Sequence, residues 1–234
     1  MKLKYLLGLS IIFMLAACDK ENTELETEAE PPLELLKDSV SYTVNGEKYT
    51  SSNVERASIY TTESNTKITS GVNFNYLIQG DKDSILFVRD FTIKAVNSFM
   101  FLSFIKVYSN AETTNTNENN GSYLNFPKNK TDMFSTGMYK YSTDFWRDNS
   151  ISGIAIRMIN TRGDFKSYGE NDLSKPASIT QTDQQNSKFE IISLQKRKSD
   201  YLLEAKFNLN VFDAKKQVQK IENGYLRFSI LKVN

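Results

Sequence analysis

Residues Tyr201–Phe212, "YLLEAKFNLNVF", decide how the rest of the chain is read. Tyr201, Leu203, Ala205, Phe207, Leu209 and Val211 share one side of a period of two, and Glu204, Lys206, Asn208 and Asn210 share the other. Successive side chains of an extended strand point to opposite faces, so this alternation predicts a long strand with one buried and one wet face. A strand wetted on one side belongs to an antiparallel sheet. Upstream, Lys188–Gln195 predicts a partner strand and Lys196-Arg197-Lys198-Ser199-Asp200 the turn between them. Downstream, Asp213–Lys216 turns the chain. Glu222-Asn223-Gly224 then leads into a strand over Tyr225–Val233, where Leu226, Phe228 and Ile230 alternate with Arg227 and Ser229.

The same reasoning extends towards the N-terminus. Asn45-Gly46 is a hairpin turn between strands over Ser41–Val44 and Glu47–Ser51. Further strands are expected at Ala57–Thr62, Lys67–Ile78, Ser84–Ile93, Ser98–Tyr108, Gly137–Tyr141 and Ile151–Ile159. Phe99–Val107 is apolar on both faces, which predicts a central strand covered on both sides. Glu112–Ser122, "ETTNTNENNGS", reads as a polar loop. Many strands without a long amphipathic helix predict an all-β fold, an antiparallel β-sandwich over residues 39–234.

The ends of the chain carry a different kind of signal. Lys2 and Lys4 precede an apolar run, Tyr5–Leu15, of about a dozen residues, short of the roughly twenty that span a bilayer. Small residues follow, and then Cys18, as in a secretory signal with its cleavage site. Leu15-Ala16-Ala17-Cys18 resembles the lipobox of bacterial lipoproteins at all four positions. That resemblance implies a signal peptide over 1–17 and a diacylglyceryl group on Cys18. It also implies a mature N-terminus at that residue, acylated on its amine with a chain such as palmitate. Each buried methylene adds ~0.8 kcal/mol, so two or three chains anchor firmly where one does not. Cys18 is the sole cysteine, which excludes an intrachain disulfide. Residues 18–38 are expected to form a disordered acidic tether, with eight acids against Lys20 and Lys37 and a stiff Pro31-Pro32. Leu33, Leu35 and Leu36 are candidates for a short docking element at its end.

The acids after Cys18 resemble the surface-export signal of Bacteroidota lipoproteins, which implies a surface-exposed place on the cell outer membrane. In the enterobacterial scheme, an aspartate at that position implies inner-membrane retention instead. Three stretches, "YTVNGEKYTSS", "GIAIRMINTRGDFKSYG" and "LLEAKFNLNVFDAKKQVQKIENGYLRFSIL", are similar to single-domain β-sandwich lipoproteins of Bacteroidota. The resemblance implies a fold and a membrane address in the cell envelope, and it brings no catalytic residues.

The chain has no histidine, which excludes Ser-His-Asp and Cys-His chemistry and the common His-based metal sites. Ser-x-x-Lys occurs at Ser64/Lys67, Ser103/Lys106 and Ser193/Lys196, without the companion motifs of penicillin-binding enzymes. Asp81 with Asp83, and Asp144 with Asp148, read as turn and surface acids. No catalytic residue, cofactor or metal is expected, and the expected role is non-enzymatic binding or scaffolding. Lys+Arg total 29 against 28 for Asp+Glu. The charge splits between an acidic tether and a mildly basic domain, which lacks the concentrated face that nucleic acid requires. Lys196-Arg197-Lys198 reads as a solvated hairpin tip.

"MYKYSTDFWRD", Met138–Asp148, is the strongest binding candidate. Tyr139 and Tyr141 share a strand face, and Phe145 and the only tryptophan, Trp146, follow. In one reading Tyr139, Tyr141 and Trp146 are a flat platform for a glycan, with Asp144, Arg147 and Asp148 supplying hydrogen bonds. In the other, Phe145 and Trp146 plug one end of the sandwich. The expected partners are therefore the membrane, through the lipid, and a glycan or another envelope protein.

Overall fold

The strand spelled by Tyr201–Phe212 holds two layers together. The computed structural model describes residues 32–70, 76–118, 122–170 and 175–232. The expected signal segment, Cys18 and the tether as far as Pro31 lie outside the described residues. The folded unit begins at Leu33. Its strands are β1 (Ser39–Val44), β2 (Glu47–Ser51), β3 (Asn53–Ser70), β4 (Tyr76–Ala95), β5 (Ser98–Ser109), β6 (Thr113–Glu118) and β7 (Ser122–Pro127). There follow β8 (Gly137–Tyr139), β9 (Gly153–Asn160), β10 (Gly163–Lys166), β11 (Lys188–Lys196), β12 (Asp200–Phe212) and β13 (Val218–Lys232). No helix among the described residues is long and apolar enough to cross a membrane.

One edge of β12 pairs with β13 along its length. The other edge is shared, with β11 opposite Tyr201–Asn208 and β10 meeting Phe212 through Lys166. The sheet forks there. One branch runs β2-β1-β13-β12-β11-β8 and the other β10-β9-β5-β4-β3. All these strand pairs are antiparallel, apart from an isolated parallel bridge between Tyr141 and Ile154. The two branches fold face to face as the expected all-β sandwich. Phe91 meets Phe228 at 4.7 Å and Phe104 meets Phe189 at 5.9 Å between ring centroids. Tyr42 and Ser98 join their hydroxyls at 3.1 Å across the same interior. β2 passes into β3 through Ser52 alone, and the Ser51 hydroxyl donates to the Lys94 carbonyl, so the open side is laced and the sandwich is nearly a barrel.

The alternation in β12 is realised as read: Leu203, Ala205, Phe207, Leu209 and Val211 are buried, while Lys206 and Asn208 are exposed. The Asn45-Gly46 turn has φ of 49° and 86°, the left-handed pair a tight hairpin needs. β5 is central, between β4 and β9, and buries Met100, Leu102 and Phe104 inward. Its outer face is covered only towards one end: Ile105 is buried, but Phe99 is 44% exposed.

Four expectations need correction. The strands expected at Ala57–Thr62 and Lys67–Ile78 are pieces of one long hairpin, because β3 ends at Ser70 and β4 starts at Tyr76. Register shifts near Arg56, Glu63 and Ser64 break the period of two that sequence reading relies on. The stretch read as a polar loop forms β6 and the start of β7, a ladder held by backbone bonds and by Phe126 packing on Phe87 at 5.9 Å. Asn223-Gly224 lies inside β13, which starts at Val218. A bulge there, with Asn223 at φ 52°, keeps the strand in register. Gly224 is required on contact grounds, because a Cβ would stand 2.6 Å from the Phe207 ring lying over it.

The basic turn is the fourth. Arg197 is only 9% exposed. Its guanidinium forks onto Asp200 at 2.6 and 2.8 Å, donates to the Ser229 hydroxyl, and donates to the Leu36 carbonyl at 2.9 Å. The segment Leu33–Asp38 docks around it, through a 3-10 turn at Leu33–Leu35. Glu34 accepts from the Lys198 amide, the Lys37 carbonyl from Arg227, and Asp38 from the Ser229 amide. The residue expected at a wet tip is thus a clasp on the incoming chain, because a rigid five-donor fork suits several fixed acceptors at once.

Two outcomes test this account by denaturant unfolding. Gly224→Ala forces the Phe207 ring out of a packed site and should cost about 2 kcal/mol. Arg197→Met empties a buried ion pair and should cost about 3 kcal/mol. It should also speed amide exchange at Leu33–Asp38, which Gly224→Ala should leave unchanged.

Candidate functional site

Outer-face residues of β9 and β10 and the loop between β8 and β9 converge on one trough. Inward, β9 buries Ile154, Ile156 and Met158, so its alternate residues, Ala155 and Arg157, face out. β10 pairs Lys166 with Arg157 and Asp164 with Ile159, placing Lys166 and Asp164 on that same face. Beyond β10, Ser167 holds on to β9 through both its amide and its hydroxyl, and this aims Tyr168 outward.

The loop Ser142–Ser150 folds over this face. Asp144 organises it: its carboxylate accepts from the Ser150 amide and hydroxyl, and its carbonyl from the amides of Arg147, Asp148 and Asn149. Phe145, 3% exposed, closes over Leu86, Val88, Ile105 and Ala155 as a second, smaller core. Phe145 meets Tyr168 edge-on at 5.2 Å and Trp146 at 5.0 Å. Trp146 itself is 45% exposed, at φ +65°. A bulky side chain in the left-handed region is a genuine outlier, costing on the order of 1–3 kcal/mol, and such strain gathers at binding sites. The conformation is held by the Trp146 amide donating to Asn149 Oδ1 at 2.9 Å.

Trp146, Arg157, Lys166, Tyr168, Gly169 and Glu170 line a trough of about 410 Å³. It falls within the ~300–1,000 Å³ usual for small-molecule sites. A smaller hollow of about 180 Å³ adjoins it, sharing Lys166, Tyr168 and Glu170 and continuing to Phe212 and Lys216. Arg157 forks onto Asp164 at 2.9 and 2.7 Å. Those bonds lower the Asp164 pKa and raise that of Arg157. Lys166 Nζ stands 6.0 Å from the Tyr168 ring centre. Burial pushes the Tyr168 phenol up to about 12, against an opposing pull from Arg157. Asp90, on the outer face of β4, is also raised by burial, partly offset by the Ser103 hydroxyl.

The sequence-predicted platform divides. Trp146 is where a ligand can reach it; Tyr139 and Tyr141 are not beside it. Tyr141, 3% exposed, points inward and donates to the Lys188 and Asn208 carbonyls. Tyr139 packs against Phe104 and Phe189 and donates to the Met133 and Ser135 carbonyls. The two tyrosines share a face, as expected, but it is the core face. Arg147 reaches the Lys175 carbonyl at 2.8 Å and pairs with Asp148, so with Asp144 these residues build the loop and do not line the trough. Their place is taken by Arg157, Lys166, Tyr168 and Glu170. The "GIAIRMINTRGDFKSYG" stretch supplies Arg157, Lys166, Tyr168 and Gly169, and its alternation around a turn was the signal that could have found them.

Ser103 and Lys106 are separated onto opposite faces of β5. Ser103 pairs with Asp90 in the ladder, and Lys106 binds Asp132 at 2.8 Å. The side chains of Ser64, Lys67 and Asp81 lie outside the described residues. Among the described residues, no group of three or more His, Cys, Asp or Glu could hold a metal ion. Comparison of the chain with protein-family models, curated proteins and solved structures finds no match.

The raised phenols give a pH prediction. Tyr168 and Tyr139 are both pushed up to about 12 from 10.0, by burial and, for Tyr139, also by the Asp132 charge. The fold favours their neutral forms, so this stabilisation is fully present below pH 10.0 and is lost as pH rises through about 12. Unfolding free energy should therefore fall from about pH 10 upward, and less steeply in Tyr168→Phe. A Tyr168 phenolate absorbing near its ordinary pKa in the folded protein would contradict the burial.

Proposed function

We propose that this chain is a lipid-anchored binding or scaffolding protein of the cell envelope, at the outer membrane, and that it is not an enzyme. The anchor rests on Leu15-Ala16-Ala17-Cys18 and the apolar run before it. The non-catalytic reading draws on the histidine-free composition and on the parting of Ser103 from Lys106.

The observation that carries binding is the exposed Trp146, held on strained backbone over a trough with charged walls. A rigid aromatic plane loses little conformational freedom on contact, and an indole face beside hydrogen-bonding groups suits a ligand that is apolar on one face and polar at its rim. A sugar ring is such a ligand, which favours a second, narrower reading as a surface protein of polysaccharide capture.

Growth of an expressing bacterium with radiolabelled palmitate tests the anchor. Label should enter the native protein and be absent from Cys18→Ala, which should leave the membrane fraction. Label persisting in Cys18→Ala would sink the anchor.

A further inference from the structure

We infer that the Trp146 trough takes an acidic saccharide, a sugar bearing a carboxylate, with its ring on the indole and its anionic group at Lys166. This rests on the glycan reading and adds the charge of the ligand to it.

The argument turns on which polar groups the protein has already satisfied. Asp164 is the most committed acid of the trough and its neighbouring hollow, taking three hydrogen bonds from Arg157. Asp213, further along, accepts from the Lys215 and Gln217 amides that make its turn. The cations are less occupied. Lys166 has no hydrogen bond or ion pair among the described residues, only the Tyr168 ring face and the field of Asp164. Lys216, at the far end of the smaller hollow, likewise has no side-chain bond among the described residues and sits at φ +61°. Arg157 uses Nε and one Nη for Asp164, leaving the second Nη for a ligand. Glu170 is the remaining acid, and its carboxylate suits the hydroxyl donors every sugar carries.

Placement sharpens this. Lys166 and Tyr168 stand in the wall shared by the two hollows, between Trp146 on one side and Lys216 on the other. A ring stacked on Trp146 brings its carboxylate to Lys166 and Arg157, and a second unit continues over Tyr168 towards Lys216. A neutral chain leaves both ammonium groups without a hydrogen-bonded anion, each with only the more distant field of Asp164 or Asp183. An acidic one supplies a charge-assisted hydrogen bond to each, and these are about twice as strong as neutral ones.

Trp146 is the only tryptophan, so its fluorescence reports on this site alone. The full chain in detergent micelles would be titrated with a panel of short uronic-acid oligosaccharides and with the same panel methyl-esterified at the carboxyls. At least one uronate should perturb Trp146 emission and bind about tenfold more tightly than its ester, a preference that added salt erodes. Lys166→Gln should bring acid and ester to within about twofold, by weakening acid binding far more than ester binding. Equal binding of acid and ester by the native protein overturns the charge assignment and leaves the glycan reading standing. Failure of every member, with emission still that of an exposed indole, overturns the glycan reading itself.

Discussion

The sandwich depends on one edge of β12 being divided between two partners. A strand has two hydrogen-bonding edges, and β13 takes all of one. The other is pledged to β11 through Tyr201–Asn208 and to β10 at Phe212. β11 and β10 take successive stretches of that edge and lead to different strands, so the sheet parts and its branches close over Phe91, Phe104, Phe189 and Phe228. The same fork fixes where β10 lies, and with it the outward aim of Lys166 and Tyr168. The trough is a by-product of how the core is closed.

Sequence alone conveyed the parts of the fold where burial and period coincide. β12 was legible because buried residues alternate with wetter ones from Leu203 to Val211, and the Asn45-Gly46 turn because few residues tolerate two positive φ angles in succession. The β3–β4 hairpin was not, because three shifts of register within it scramble the alternation. β6 was missed because Thr, Asn and Glu can make a backbone ladder without an apolar stripe to announce it. Asn223-Gly224 misled because a bulge and a turn draw on the same left-handed residues.

The site was legible in its centre and not in its walls. Trp146 stood out as the sole tryptophan, but the spacing of Tyr139 and Tyr141 says only that they share a face. Whether that face is wet depends on β8 lying against β11, some fifty residues downstream. Arg157, Lys166 and Tyr168 look ordinary in the sequence. They become a surface because a turn at Thr161-Arg162 folds β10 back on β9, and because Phe145 is drawn away into its own pocket. Arg197 is a still longer-range case. Its role requires a carbonyl 161 positions away, and no local pattern carries that information.

The clasp at Arg197 has a mechanical side. Tension applied along the chain upstream of Leu33 does not fall on a free sheet edge, since β1 lies between β2 and β13. It falls first on hydrogen bonds donated by Arg197 and Lys198, in the turn between β11 and β12, and by Arg227 and Ser229, in β13, which are set at successive points along Glu34–Asp38. A load shared among such bonds is resisted jointly, where a frayed strand would yield one rung at a time.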